Sequence, residues 1–232
     1  MCKGENNMIY ITGDTHRTYD ISKLMPDSFP QQNKMTKSDY LIILGDFGCI
    51  WNGNKSDQHC LDFYESQNYT TLFIEGNHEN HPLINKYPFL DWNGGKVHQI
   101  SNSVFHLCRG QVFNIDSKTF FTMGGACSID KNVRIDGITW WKQEVPSTKE
   151  INEANKNLER YDYKIDYVLT HAAPSGIVKI INPEYKIDKV EKTLNTFANK
   201  IIFKKWYFGH YHIDQMINNK YHAVYNDIIL LD

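Results

Sequence analysis

The sequence lacks the features that mark several broad classes of protein. It has no apolar run that approaches the length of a membrane span, and no apolar segment near its start of the kind found in signal peptides. We find no internal repeat, low-complexity tract or Pro/Gly/Ser-rich linker that would divide it. The five cysteines form no C-x-x-C pair, and their odd number does not fit a complete disulfide framework. We therefore expect reduced thiols, a cytoplasmic location and no membrane partner.

The sequence also lacks a strong excess of charge of either sign. Its 25 Lys and Arg residues nearly balance 27 Asp and Glu residues, and the formal net charge is −2. Avid binding to long nucleic acid depends on neutralising many phosphates, so we do not expect that partner. The length fits one domain with a sizeable core. We predict a single domain over residues 8–232 after a flexible lead-in over residues 1–7. Protein partners are not identifiable from the sequence.

Polar motifs follow five apolar segments, each at the point where the segment ends. The motifs are Gly13-Asp14-Thr15-His16, Gly45-Asp46, Gly76-Asn77-His78-Glu79, Thr170-His171 and Gly209-His210-Tyr211-His212. Their Asp, His and Asn donor atoms suit hard or borderline divalent metals. The apolar segments have the pattern of β-strands, and the carboxyl ends of strands are where open α/β sheets place active sites. The sequence therefore predicts one metal site at the edge of a sheet.

Local patterns predict several elements between these motifs. Ser147 and Asp188 each precede a glutamate by three residues, which indicates capping boxes at the start of two helices. Three alternating segments, over residues 104–107, 111–115 and 119–123, are separated by turn residues and predict an antiparallel meander. This order of strands and helices is typical of mixed sheets with helices outside.

The five motifs, in this order, resemble the pattern of the calcineurin-like metallophosphoesterases. That pattern is G-D-x-H, G-D, G-N-H-[E/D], a single His after a strand, and G-H-x-H, and here it extends from residue 13 to residue 212. The segment after Asp46 lacks the Asp and Arg that serine/threonine phosphoprotein phosphatases carry there, and it is similar to compact bacterial or phage-type members. The resemblance implies an α/β (α+β) fold, a four-layer sandwich of two mixed β-sheets flanked by helices.

The resemblance further implies a centre of two divalent metal ions. It assigns Asp14, His16 and His212 to one ion, Asn77, His171 and His210 to the other, and Asp46 to a bridge between them. Two such ions, about 3.5–4 Å apart, clamp the attacking and leaving oxygens and activate a hydroxide for in-line attack at phosphorus. Mixed His, Asp and Asn donors accept Mn, Fe, Zn, Co or Ni, and we expect Mn²⁺.

Other polar residues near these motifs have less specific roles. The resemblance implies that His78 is a general acid or a stabiliser of transition-state charge, but its orienting partner is not identified. Arg17 either binds a phosphate bidentately or is a surface arginine in a loop, and Arg109 and Arg134 are weaker candidates of the same kind. Glu79 either orients His78 or, as we expect, is an acid at a helix N-terminus.

The sequence therefore predicts a hydrolase that acts on phosphoester bonds. Without the phosphatase-type arginine we favour a phosphodiesterase, whose substrate is a small phosphoester such as a nucleotide or a short oligonucleotide. The alternatives are a phosphomonoesterase, a nuclease for short substrates and a metal-bound scaffold without catalysis. Five further histidines match no motif position, and we expect surface or structural roles for them: His59, His81, His98, His106 and His222.

Overall fold

The apolar segments of the sequence form strands, and most of the polar segments between them form helices or turns. The computed structural model describes residues 7–232, so the predicted lead-in lies outside the described residues apart from Asn7. The strands in this part of the chain are β1 (Ile9–Thr12), β2 (Tyr40–Leu44), β3 (Thr70–Ile74), β4 (Phe89–Trp92), β5 (Gly95–Gln99), β6 (Val104–Leu107), β7 (Gln111–Ile115), β8 (Lys118–Met123), β9 (Lys164–Thr170), β10 (Ile202–Phe208), β11 (Gln215–Ile217), β12 (Tyr221–Ala223) and β13 (Ile228–Leu230). The α-helices there are α1 (Lys55–Glu65), α2 (His81–Ile84), α3 (Thr148–Glu159), α4 (Ser175–Ile181) and α5 (Lys189–Ala198). The assignment of residues 8–232 to a single domain stays a prediction.

The strands form two mixed sheets. One has seven strands in the order β13-β1-β2-β3-β6-β5-β4, and the other has six in the order β11-β12-β10-β9-β8-β7. In the first sheet β1, β2, β3 and β6 run parallel, and in the second β8, β9, β10 and β12 do. The remaining neighbours are antiparallel. The predicted fold class, two mixed sheets flanked by helices, is confirmed.

Buried apolar side chains hold the sheets and helices together in layers. Ile42 of the first sheet and Phe120 of the second belong to one cluster between the sheets. Tyr64 of α1 packs in a second cluster on the outer face of the first sheet. Leu158 of α3 and Leu194 of α5 pack in a third cluster with the outer face of the second sheet. Each fully buried large apolar side chain stabilises the fold by about 1.5–3 kcal/mol relative to an exposed one.

The helices α3 and α5 begin with the predicted capping boxes. The Ser147 hydroxyl accepts from the N–H of Glu150 at 3.3 Å, and the N–H of Ser147 donates to the Glu150 carboxylate at 2.6 Å. Asp188 and Glu191 make the same reciprocal pair at 3.0 and 2.9 Å before α5. Both predicted capping boxes are therefore confirmed, because they depend only on residues three positions apart.

The predicted antiparallel meander is wrong at one connection. The strand β6 pairs with β5 in the first sheet, whereas β7 pairs with β8 in the second. The chain passes from one sheet to the other at Arg109-Gly110, where Gly110 has a φ of 69°. Alternation of apolar and polar residues predicts where a strand lies, but the sheet that it joins depends on contacts with distant segments.

The cysteines also depart from expectation. Cys49 and Cys60 are joined by a disulfide, with their Cα atoms 5.5 Å apart, so the expectation of reduced thiols is wrong for this pair. Cys108 and Cys127 are free, and Cys2 lies outside the described residues. A cytoplasmic location stays a prediction. Within residues 7–232, no helix combines the length and apolar character that a membrane crossing requires.

Candidate metal centre

The five motifs come together at one place, although their strands belong to two sheets. The first three motifs follow β1, β2 and β3 of the seven-stranded sheet, and the other two follow β9 and β10 of the six-stranded sheet. His171 follows a strand of the six-stranded sheet, and its Nε2 atom lies 3.4 Å from Oδ2 of Asp46, which follows a strand of the seven-stranded sheet. The expected edge of one sheet is therefore the shared end of two stacked sheets, and parallel strands within each sheet place the ligand-type residues there.

Asp46 lies at the middle of this group. Its side chain is buried, and Oδ2 lies 3.3 Å from His16 Nε2 and 3.4 Å from His171 Nε2. Its other oxygen, Oδ1, accepts a hydrogen bond from the N–H of His78 at 2.7 Å. One carboxylate oxygen thus lies between histidines of the two predicted ligand sets, which is the position that a bridging ligand requires.

Asp14 forms a second, fully buried carboxylate beside Asp46. Its Oδ2 lies 3.2 Å from His212 Nε2, and its Oδ1 accepts from the N–H of His210 at 3.0 Å. Donor atoms of Asp14, His16 and His212 lie within 4.8 Å of one another, which is close enough for one ion. Three of the residues predicted to share an ion therefore lie together, with His212 on the exposed side.

Asn77, His171 and His210 form the other side of the group. Asn77 Oδ1 lies 3.2 Å from His171 Nε2, and the rings of His171 and His210 have centroids 4.9 Å apart. The amide nitrogen of Asn77 donates to Ser128 Oγ at 3.2 Å, and this hydroxyl donates to Glu144 at 2.6 Å. Because its nitrogen is engaged by Ser128, Asn77 presents its oxygen to the group.

Polar contacts outside the group orient the histidines. His16 Nδ1–H donates to Asp20 Oδ2 at 2.6 Å, and His171 Nδ1–H donates to the carbonyl of Leu44 at 2.8 Å. Both contacts leave Nε2 as the atom that faces Asp46, as is usual for metal-binding histidines. The motif pattern did not predict the role of Asp20, although an acid four residues after His16 was a usable signal.

The side chain of Lys23 stabilises the backbone of the first motif. Its ammonium is buried and donates to the carbonyl of Asp14 at 2.6 Å and to the carbonyls of Gly13 and Tyr225. Burial lowers the pKa of Lys23 to about 8, against the opposing charge of Asp14. The sequence carried no signal for this role, because Lys23 lies in a segment without a motif.

The backbone at the site adopts conformations that side chains other than glycine seldom take. The φ angles of His16, Asp46, His210 and His212 are 40°, 46°, 69° and 50°. Such strained positions cluster at functional sites, where surrounding structure holds them. A Cβ atom at Gly76 would overlap the Asp46 carboxylate, so this motif glycine is needed for close packing.

The electrostatics of the group favour a cation. Burial alone would lower the pKa of His16 and of His171, but the hydrogen bonds and charge of Asp46 raise both to about 9. Two buried carboxylates therefore draw positive charge into the group. A donor set of His nitrogens with Asp and Asn oxygens fits borderline divalent ions, and ions in that place would take over the role of these protons.

His78 has a partner that the sequence did not identify. Arg134 Nη2 lies 2.9 Å from each ring nitrogen of His78, and its Nε donates to Asp130 at 2.8 Å. Burial lowers the pKa of His78; the charge of Asp46 opposes this and that of Arg134 adds to it. Arg134 Nη1 is buried and has no hydrogen-bond partner among the described residues. Arg134 follows His78 by 56 positions in a segment without periodicity, so no local pattern indicated it.

The structure gives other predicted residues different surroundings. Arg17 Nη2 donates to Ser56 Oγ at 2.6 Å and lies 3.0 Å from Asp57 Oδ1. The expectation that Glu79 is an acid at a helix N-terminus is wrong, because α2 begins at His81. Glu79 is fully buried instead, and its carboxylate accepts from the N–H of Phe47 at 2.6 Å. It thereby holds the segment that follows Asp46.

Two clefts meet at His78. The larger has a volume of about 630 Å³ and is lined by site residues and by side chains of other segments, including Asp130, Tyr185 and Lys186. The smaller has a volume of about 340 Å³, and its lining includes Tyr19 and Trp51. His78 lines both, so the group of ligand-type residues is open to solvent on two sides.

The comparison with protein families agrees with the pattern of motifs. The sequence model of the family described as calcineurin-like phosphoesterase matches residues 8–214, a range that contains all five motifs. None of the curated proteins compared with the chain matches it. The assignment of each ligand to an ion stays a proposal.

Proposed function

Because the chain belongs to the calcineurin-like phosphoesterase family of metal-dependent phosphoester hydrolases, we propose that it is a phosphodiesterase with a centre of two divalent ions. The observation that carries the preference for diesters is the pair of clefts that meet at His78. A phosphodiester has an organic group on each side of phosphorus, and each cleft would receive one of them. A monoester would use only one.

The residues proposed to hold the ions are those that converge on Asp46. Asp14, His16 and His212 would bind one ion, Asn77, His171 and His210 the other, and Asp46 would bridge them. When bound, the two ions would supply an acidified water as nucleophile and positive charge at the leaving oxygen. Asp20 and the carbonyl of Leu44 would keep the histidine rings in place. We propose Mn²⁺, with Fe, Zn, Co and Ni as alternatives for the same donors.

His78 and Arg134 are proposed to act on the substrate. His78 lies at the junction of the clefts, where it would stabilise or protonate the leaving oxygen. The Nη1 atom of Arg134 has donors without a partner among the described residues, and these would bind a phosphoryl oxygen. His78 already lines both clefts, whereas Arg134 Nη1 is buried and would have to turn towards the clefts to bind the phosphoryl oxygen.

The lining of the clefts supports a nucleotide-type or short oligonucleotide substrate. Trp51 and Tyr19 line the smaller cleft, and Tyr19 is 87% exposed. Aromatic side chains of this kind can stack on a base, a contact worth about 1–3 kcal/mol. The larger cleft contains Tyr185 and Lys186, which would contact a second aromatic or anionic group.

The test is turnover of bis-p-nitrophenyl phosphate and p-nitrophenyl phosphate by protein stripped of metal and reloaded with Mn²⁺. We expect faster cleavage of the diester and a loss of at least ~10³-fold in the Asp46→Asn variant, because the bridging charge is removed. Faster cleavage of the monoester would make the protein a phosphatase. If neither substrate is cleaved although two Mn²⁺ are measured per chain, the protein would be a metal-bound scaffold without catalysis.

A further inference from the structure

A second cluster of metal-type donors lies on β5, β6 and the residue after them. His98 and His106 are directly opposite partners of the antiparallel pair, so both side chains project from one face of the sheet. Their rings stack with centroids 5.3 Å apart and planes at 17°. Cys108 follows the end of β6 and turns towards His98. We call His98, His106 and Cys108 the hairpin cluster.

The donor atoms of the hairpin cluster converge on one point. His98 Nδ1 lies 3.1 Å from His106 Nδ1 and 3.5 Å from Cys108 Sγ, and the three atoms lie within 4.8 Å of one another. Ligand atoms around a tetrahedral zinc ion, with Zn–N near 2.0–2.1 Å and Zn–S near 2.3 Å, are about 3.3–3.6 Å apart. The observed separations therefore need only small adjustments to accept such an ion.

The hydrogen bond of His106 Nε2 leaves the other ring nitrogen, Nδ1, available as a metal ligand. His106 Nε2–H donates to Glu75 Oε2 at 2.8 Å, and the same carboxylate is paired with Arg109 Nε. A carboxylate paired with an arginine accepts hydrogen bonds, so His106 uses its Nε2–H for Glu75 and presents Nδ1 to His98. A carboxylate behind a histidine in this way is the usual outer shell of a zinc ligand.

His98 Nδ1 has two neighbouring donor atoms, and a single proton can bond it to only one of them. This nitrogen faces both His106 Nδ1 and Cys108 Sγ. A ring nitrogen has either one proton or one lone pair, so it makes only one linear hydrogen bond. A cation at the centre of the three atoms would engage all of them.

We propose that His98, His106 and Cys108 bind a zinc-type divalent ion at a site separate from the candidate metal centre. Two imidazoles and a thiolate select zinc over Mn²⁺, Mg²⁺ or Ca²⁺, which prefer oxygen ligands. The histidines are buried, at 8% and 4% exposure, and Cys108 is partly exposed, so the ion enters from the cysteine side and keeps one position for water. The ion joins β5 to β6, and through Glu75 it adjoins the segment that carries Asn77.

Cobalt(II) substitution tests this site without using enzymatic activity. A thiolate ligand gives Co²⁺ an intense charge-transfer absorption in the near ultraviolet, and no cysteine is among the ligands proposed for the candidate metal centre. We expect this band in the wild-type protein, with a final amplitude that corresponds to one Co²⁺–thiolate site per chain even when the candidate metal centre also holds Co²⁺. Its absence from the wild-type protein at saturating Co²⁺ overturns the proposal, whatever the behaviour of the variants.

Matched variants assign the band to the hairpin cluster. We expect Cys108→Ser to abolish it and His98→Gln to weaken or shift it, in samples that keep the far-ultraviolet circular dichroism of the wild type. Cys127→Ser is the control, because Cys127 is the other free, partly exposed thiol among the described residues. A band that survives in Cys108→Ser, or disappears in Cys127→Ser, contradicts the assignment.

Discussion

Two arginines lie beside the candidate metal centre, and their contacts differ. Arg17 is engaged by Asp57 at 3.0 Å and by Ser56 at 2.6 Å. Arg134 contacts His78 with one terminal nitrogen, and the other has no partner among the described residues. To bind a phosphoryl oxygen, Arg17 would have to give up its ion pair with Asp57, whereas Arg134 Nη1 would have to turn from its buried position but would break no hydrogen bond of its own. The substrate phosphate should therefore depend on Arg134 more than on Arg17.

This difference between single residues predicts that substitution of Arg134 mainly affects catalysis and substitution of Arg17 mainly affects stability. Arg134→Ala should lower kcat/KM for bis-p-nitrophenyl phosphate by about 10²-fold, as loss of one donor to a reacting oxygen does elsewhere. Arg134→Lys should restore only part of it, because a single ammonium nitrogen lacks the planar pair of terminal nitrogens, one of which contacts His78 while the other is available to phosphate. Arg17→Ala should mainly lower the melting temperature. Kinetics and thermal melts of the three variants check this, and a larger kinetic loss in Arg17→Ala would return the phosphate contact to Arg17.

At the scale of elements, the loop before α1 depends on one buried carboxylate. Asp57 Oδ2 accepts from the N–H groups of Trp51, Asn52 and Gly53 at 2.8, 2.6 and 2.7 Å. Asp57 also pairs with Arg17, so the same side chain connects α1, the loop with Trp51 and the segment after the first motif. The wall of the smaller cleft therefore depends on the start of this helix.

Asp57→Asn should destabilise the protein by about 2–3 kcal/mol, because a charged acceptor of several buried N–H groups becomes a neutral amide. Asp62→Asn is the matched control, because Asp62 lies on the same helix and is exposed, and within residues 7–232 its carboxylate accepts only from the Gln58 side chain. We expect a change within about 0.5 kcal/mol for this control. Urea unfolding of both variants measures the difference, and equal stabilities would show that the loop does not depend on Asp57.

Elements defined by neighbouring residues were predictable, and contacts between distant segments were not. The five strands before the motifs and the caps at Ser147 and Asp188 follow from local pattern, and so does the gathering of the motifs. The passage of the chain to the second sheet at residues 109–110 has no local signature. No local pattern predicts the contact of Arg134 with His78 or that of Glu79 with Phe47, because each joins residues more than thirty positions apart.

At the scale of the whole molecule, buried ionisable groups make stability depend on pH. His81 is 5% exposed, its Nε2 has no hydrogen-bond partner among the described residues, and it lies near Glu75 and Arg109. Burial, with the charge of Arg109, lowers the pKa of His81 to about 3. The unfolded chain therefore binds a proton at His81 at pH values where the folded chain does not.

The sign of this effect predicts acid sensitivity. Between pH ~6.5, the ordinary histidine pKa, and pH about 3, protonation at His81 favours the unfolded chain. The free energy of unfolding should thus fall as the pH falls, by up to about 1.4 kcal/mol per pH unit for this one proton. His81→Gln removes the titrating group and should flatten the dependence in this window, whereas His59→Gln, on the exposed face of α1, should leave it unchanged. Urea unfolding at several pH values, with chelator in every sample so that bound metal does not contribute, measures the three curves. Parallel curves for the wild type and His81→Gln would mean that protonation of His81 does not lower the free energy of unfolding.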